Sequence, residues 1–246
     1  MAEPAAAGLS ANRLERAAAL VEAWTQERPG QAATLLIARH GQVALYRGFG
    51  QFFPWDQERH PLRPTQPDTI YLVASLTKPV VATAAMLPVE RGEPLLDEPV
   101  RRLIPEFAGE DRRDVRVWHL LTHTSGLPDQ LPENVELRQR HAPLSEFVRR
   151  VCTTPLLFAP GTDCRYQSMG TLLLGEIIER LTGQPLREFL HSELFQPLGL
   201  RDTWLGLGSL PRERIAWVPA PEAEAESDWR QNSTWWRGCR NAWRRR

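Results

Sequence analysis

Between Gly170 and Gly183 the chain repeats large aliphatic residues at Leu173, Leu174, Ile177, Ile178 and Leu181, the spacing of one face of an α-helix. A helix with so apolar a face is not stable alone in water, so other elements must be folded against it. The spacing predicts a buried helix over 170–181 that Gly183 terminates. Leu186 to Phe195 predicts a further helix before Pro197, and 115–122 and 144–153 predict shorter ones, so the middle of the chain is mostly helical.

The N-terminal part reads differently. Leu14, Ala18, Val21 and Trp24 have helical spacing behind Ser10, a suitable N-cap, which predicts an amphipathic first helix over 10–28. Two β-prone runs, 33–39 and 43–49, flank His40-Gly41-Gln42 and predict a hairpin. Residues 51–68 hold four prolines and no period, which predicts a loop, and 69–73 predicts a short extended piece. After Leu210 the chain turns to alternating Ala, Pro and Glu, then to a Trp- and Arg-rich stretch without period, which predicts an irregular tail over 211–246.

From Ser75 to Arg91 the pattern is again helical, closed by Gly92. Pro79 falls in the first turn, where its missing N–H costs nothing, but Pro88 is internal and predicts a bend or break near Met86. Lys78, three residues after Ser75, is the only lysine in the chain; every other permanently basic side chain is arginine. An ammonium can give up its proton when desolvated and a guanidinium cannot, so a lone Ser-x-x-Lys points to an amine used as a proton acceptor beside a hydroxyl. At the start of a helix the two side chains share a face, with Cβ atoms roughly 5–6 Å apart. Free N–H groups and the positive end of the helix dipole also favour an oxyanion beside Ser75.

The composition, 246 residues with 42% hydrophobic and 24% charged, is that of a globular protein with a substantial core. Zero formal net charge gives no field to attract nucleic acid. No apolar run has the length of a signal peptide or a membrane span, which predicts a cytoplasmic protein without a membrane partner. Cys152, Cys164 and Cys239 are odd in number and widely spaced, which predicts free thiols rather than a disulfide framework or zinc site. His119 and His123 stand four apart, a spacing that a helix would turn to one face, but no glutamate adjoins His119 and structural hydrogen bonding is the preferred reading over a metal. The acidic run 222–228 reads as solvated linker, and Arg244 to Arg246 as a charged terminus.

Several segments occur in a familiar order: 72–79 (LVASLTKP), 95–100 (LLDEPV), 103–107 (LIPEF), 118–128 (WHLLTHTSGLP), 158–161 (FAPG), 166–170 (YQSMG), 174–183 (LGEIIERLTG) and 194–200 (LFQPLGL). Together they resemble the β-lactamase-related serine hydrolases, which include class C β-lactamases, D-alanyl-D-alanine carboxypeptidases and β-lactamase-like esterases. The resemblance covers roughly residues 10 to 207. It implies an α+β, β-lactamase/transpeptidase-like fold over 1–210 and a hydrolase that works through an acyl-enzyme. It implies Ser75 as nucleophile, Lys78 as its proton partner and Tyr166 as the aromatic hydroxyl of a Tyr-x-Asn motif, with Gln167 and Ser168 against the substrate. A phenol beside an ammonium loses its proton more easily, so Tyr166 and Lys78 can share one. Where the family usually has Asn the chain has Ser168, which shifts the expectation from β-lactams towards esters or other acyl compounds. The partner implied is a small-molecule or peptide acyl substrate, with no cofactor and no particular oligomeric state.

The resemblance also implies a third motif, Lys-Thr-Gly or His-x-Gly, on a strand of the central antiparallel sheet, and no such triplet follows Tyr166. The expected chain is thus mostly helical, with an N-terminal hairpin and most of the sheet missing. Its last residues, from Cys239, read as out of frame or as the mark of a truncated gene, and this predicts weakened or lost turnover. The alternative expectation is a pseudoenzyme or binding fragment of the same family.

Overall fold

In a computed structural model that describes residues 1–27, 30–54, 61–93 and 95–217, the first helix, α1 (Ala11–Gln26), starts at Ser10, whose side chain accepts the backbone N–H of Arg13 at 3.5 Å. Leu14, Ala18 and Thr25 face inward, while Trp24 is 54% exposed. The expected face therefore ends on Thr25, which lies almost straight above Leu14 at 3.6 residues per turn, whereas Trp24 is rotated well off that line. β1 (Ala32–Arg39) and β2 (Gln42–Pro54) form the expected antiparallel hairpin. Its connection is two residues, His40 and Gly41, at φ 51° and 74°, the left-handed pair that matches strand twist in tight hairpins.

β2 runs past the expected end of the strand. Residues 51–54, read from sequence as loop, pair with β3 (Arg63–Pro64) and with β4 (Ala216–Trp217), all antiparallel. Prolines do not prevent this, because Pro54 and Pro64 sit at strand ends where the absent N–H breaks no ladder. Ile70 bridges the strand region of Ile215, with Ile70 N–H on the Arg214 carbonyl and Ala216 N–H on the Ile70 carbonyl, both at 2.8 Å. These elements make one unit, Met1–Val73 with Ser209–Pro221, of which the structure describes the residues up to Trp217. The expected tail beyond that point lies outside the described residues.

Ala74–Gly208 make a second unit, which is helical. A 3-10 turn at Ala74–Leu76 leads into α2 (Thr77–Glu90), followed by α3 (Val100–Leu103), α4 (Val117–Leu121), α5 (Asn134–Gln139), α6 (Leu144–Val151), α7 (Ser168–Thr182) and α8 (Leu186–Leu190), which widens into a π-type turn over His191–Phe195. α7 is the centre: α2, α3, α4, α6 and α8 all pack on it. Leu173, Leu174, Ile177 and Ile178 are buried with Ile104, Phe107, Leu120 and Leu127, but Leu181 is 41% exposed, so the stripe stops short of the expected end. Gly183, at φ 67°, then closes the helix with its N–H on the Glu179 carbonyl.

Of the expected bend or break near Met86, the break does not occur: α2 continues through Pro88 to Glu90. Pro88 stands within the last turn, so it forfeits a single helical bond there. Its carbonyl accepts the N–H groups of Arg91 and Glu93 at 3.1 and 3.0 Å, which ties the helix end, and its ring is buried. The short α3 and α5 escape sequence reading because neither is long enough to show a period. Cys152 is buried, which pushes its thiol up to about 11, and Cys164 is exposed; both are free. No described helix is long and apolar enough to cross a membrane. The architecture is α+β, mostly helical with a small antiparallel sheet.

Removing side-chain volume from the two ends of the α7 stripe separates buried from exposed positions. Leu173→Ala, at a fully buried site, is expected to cost about 2–5 kcal/mol, and Leu181→Ala less than about 1 kcal/mol, read as the shift in urea unfolding of the second unit.

Candidate active site

The chain enters α2 through a strained corner. Ala74, a non-glycine residue, has φ 44°, in the left-handed region that a side chain disfavours. Ser75 follows in the 3-10 turn and is exposed, ahead of the first turn of α2, where backbone N–H groups have no intrahelical acceptor. Lys78, one turn on, donates from Nζ to Ser75 Oγ at 3.1 Å. Tyr166, from the segment that opens α7, donates its hydroxyl to the same Oγ at 2.7 Å. The ammonium lies 4.5 Å from the centroid of the Tyr166 ring. The structure therefore brings Ser75, Lys78 and Tyr166 together, across 91 positions of sequence in the case of the tyrosine.

Two donors on one hydroxyl oxygen favour negative charge there. The same contacts act on the phenol, since hydrogen bonding with Lys78 and then with Ser75 holds Tyr166 below its ordinary value of 10.0. His123 packs at 5.1 Å on the Tyr166 ring, ring centroid to centroid. Burial first, then the positive charge of Lys78, push the imidazole below its usual range, with Asp129 opposing. The Nδ1 atom of His123 is buried without a hydrogen-bond partner among the described residues.

Gln167 and Ser168 part company. Gln167 is fully buried; its Oε1 accepts the hydroxyl of Ser125 at 2.6 Å and its Nε2 donates to the His119 carbonyl at 3.3 Å. Both ends of its amide are engaged within the protein, between the 119–125 stretch and the start of α7. Ser168 is half-buried, and both its N–H and its hydroxyl donate to Oδ1 of Asp129, at 2.8 and 2.6 Å.

His119 and His123 do not share a helix face, because α4 ends at Leu121 and His123 turns to φ 61°. His119 is buried, accepts the N–H of Arg116 on Nδ1 at 2.9 Å and stacks on Trp118. Its pKa is lowered by burial and by Arg116. Asp129 escaped the sequence reading altogether. Only its place directly after the 118–128 segment hints at it, since its partner lies 39 residues away.

The β-lactamase family model matches residues 17–238, most of the chain. Esterase EstB of Burkholderia gladioli is 38% identical over 91% of this chain and 59% of its own length. A β-lactamase of Escherichia coli strain K12 is 25% identical over 78% of this chain and 48% of its own length. Among solved structures, D-amino acid amidase from Ochrobactrum anthropi SV3 is similar with a TM-score of 0.67 and 28% identity, over 80% of this chain and 53% of that one. EstCE1, a hydrolase with promiscuous acyltransferase activity, gives 0.64 and 28%, over 78% and 53%. The chain thus spans between about half and three fifths of these relatives. With the family match extending over most of its residues, the chain belongs to the β-lactamase family.

Proposed function

We propose that this chain carries the nucleophile and proton-handling groups of a serine hydrolase that works through an acyl-enzyme on Ser75. The convergence of the Lys78 ammonium and the Tyr166 hydroxyl on Ser75 Oγ, both within 3.1 Å, is the observation that supports it. In the cycle, Ser75 Oγ adds to the acyl carbonyl while its proton passes to the Lys78–Tyr166 pair. The same proton then goes to the leaving alcohol or amine as the carbon–oxygen or carbon–nitrogen bond breaks. Water repeats the sequence on the acyl-enzyme and releases the acid and free Ser75. One oxyanion donor comes from the backbone at the start of α2. The substrate is a small-molecule or peptide acyl compound; the esterase among the relatives favours an ester.

A second reading, an acyl- or peptide-binding member without turnover, draws support from the openness of the site. Tyr166 is 52% exposed, and water at the reacting oxygen weakens electrostatic catalysis. A fluorophosphonate probe separates the two. The enzyme reading expects a single adduct, located on Ser75 by mass spectrometry and absent in Ser75→Ala, with labelling slowed about 10²–10⁴-fold in Lys78→Arg. Folded protein that stays unlabelled supports binding alone.

The pH dependence follows from the phenol. Because Tyr166 is held below 10.0, its phenolate appears at lower pH than that of a free tyrosine, whereas burial moves Tyr71 the other way. Subtracting the near-ultraviolet phenolate titration of Tyr166→Phe from that of the wild type is expected to leave an inflection below 10.0, which returns towards 10.0 in Lys78→Met. The labelling rate should climb with pH through the same inflection. An inflection that Lys78→Met leaves in place would detach the lysine from the tyrosine.

A further inference from the structure

The backbone of Gln167 is extended, at φ −144° and ψ 126°, so side chains at 166 and 168 lie on one side of the chain and 167 on the other. Burial of Gln167 fixes which side is which. Ser168 therefore shares the open side with Tyr166, and what its hydroxyl offers there bears on the substrate.

A serine hydroxyl has one hydrogen. That of Ser168 is given to Asp129 Oδ1 at 2.6 Å, in a bond shortened by the carboxylate charge, and the Ser168 N–H holds the same oxygen at 2.8 Å. Ser168 then presents lone pairs only. Asp129 is itself half-buried, and its Oδ2 accepts no hydrogen bond among the described residues. Its negative charge is felt at both His123 and Tyr166, against that of Lys78, which places it within electrostatic range of the Ser75 cluster. The pair is thus an acceptor site built around a carboxylate. A carboxylate or bare carbonyl of the substrate would meet only lone pairs there, whereas an ammonium would meet a charge-assisted acceptor, roughly twice as strong as a neutral one.

We infer that Asp129, acting with Ser168, is a specificity-determining residue that favours acyl substrates bearing a protonated amino group beside the scissile carbonyl, an inference that rests on the acyl-enzyme reading of Ser75. Lys78 is committed to Ser75 and to the ring of Tyr166. Burial, then the nearby Lys78, lower the half-buried His123 imidazole below its usual range and so disfavour a competing cation.

The test compares Ser75 acylation by the para-nitrophenyl esters of alanine and of propanoic acid, which differ in the amino group alone, each corrected for its hydrolysis in buffer. In wild type the alaninate is expected to be preferred, and Asp129→Asn to lower the alaninate-to-propanoate ratio roughly 10–100-fold. Ser168→Ala should lower it by a smaller factor, since the carboxylate remains. Both rates come from the same sample, so a ratio is unaffected by partial unfolding. If Asp129 serves only to hold the start of α7, both rates fall together, the ratio is unchanged and the inference is overturned. A propanoyl adduct on Ser75 with an unchanged ratio removes this inference alone. Absence of any adduct from esters or fluorophosphonate removes the hydrolase reading with it.

Discussion

Burial of the aliphatic face of α7 holds the site together. Leu173, Leu174, Ile177 and Ile178 leave water only when α2, α4 and their neighbours close over them, and four such side chains contribute about 1.5–3 kcal/mol each. The contact of α7 with α2 fixes more than the core. Ser75 and Lys78 belong to the start of α2, and Tyr166 to Ser168 to the start of α7, so the packing that hides leucine and isoleucine also brings both helix beginnings to one end. The 2.7 Å contact between Tyr166 and Ser75 is a product of that packing.

A smaller polar device sets the direction of the key side chains. Ser125, Gln167 and the His119 carbonyl form a buried chain in which each partner is used, a condition without which buried polar groups are costly. Because Gln167 is drawn inward, the residues on either side of it must point outward. Gly170 permits this, since a Cβ there would stand 2.8 Å from Gln167 Nε2. The orientation of Tyr166 thus depends on a glutamine that touches no reacting atom.

Sequence reading reached the elements whose signal is local. The α7 stripe, the two-residue hairpin turn and the Ser75-x-x-Lys78 spacing are short-range patterns, and the order of the family segments linked Tyr166 to them. It failed where the deciding contact is distant. The burial of Gln167 involves a partner 42 positions earlier, and the bond between Ser168 and Asp129 spans 39. The run of β2 past Phe49 is likewise set by strands remote in sequence, not by periodicity.

The charges of the second unit give the lone lysine its meaning. Two helix beginnings meet at Ser75, and both would attract an anion through the positive ends of their dipoles. Asp129 satisfies one of them by accepting the N–H of Ser168, which leaves the beginning of α2 as the one that faces the Ser75 oxygen. Burial, then the nearby Lys78, hold the His123 imidazole below its usual range, which disfavours a second cation beside Lys78. An arginine there would hold the same charge permanently and could donate to Ser75, but it could never take its proton. In a chain that uses arginine at every other permanently cationic position, that difference sets the one ammonium at residue 78 apart.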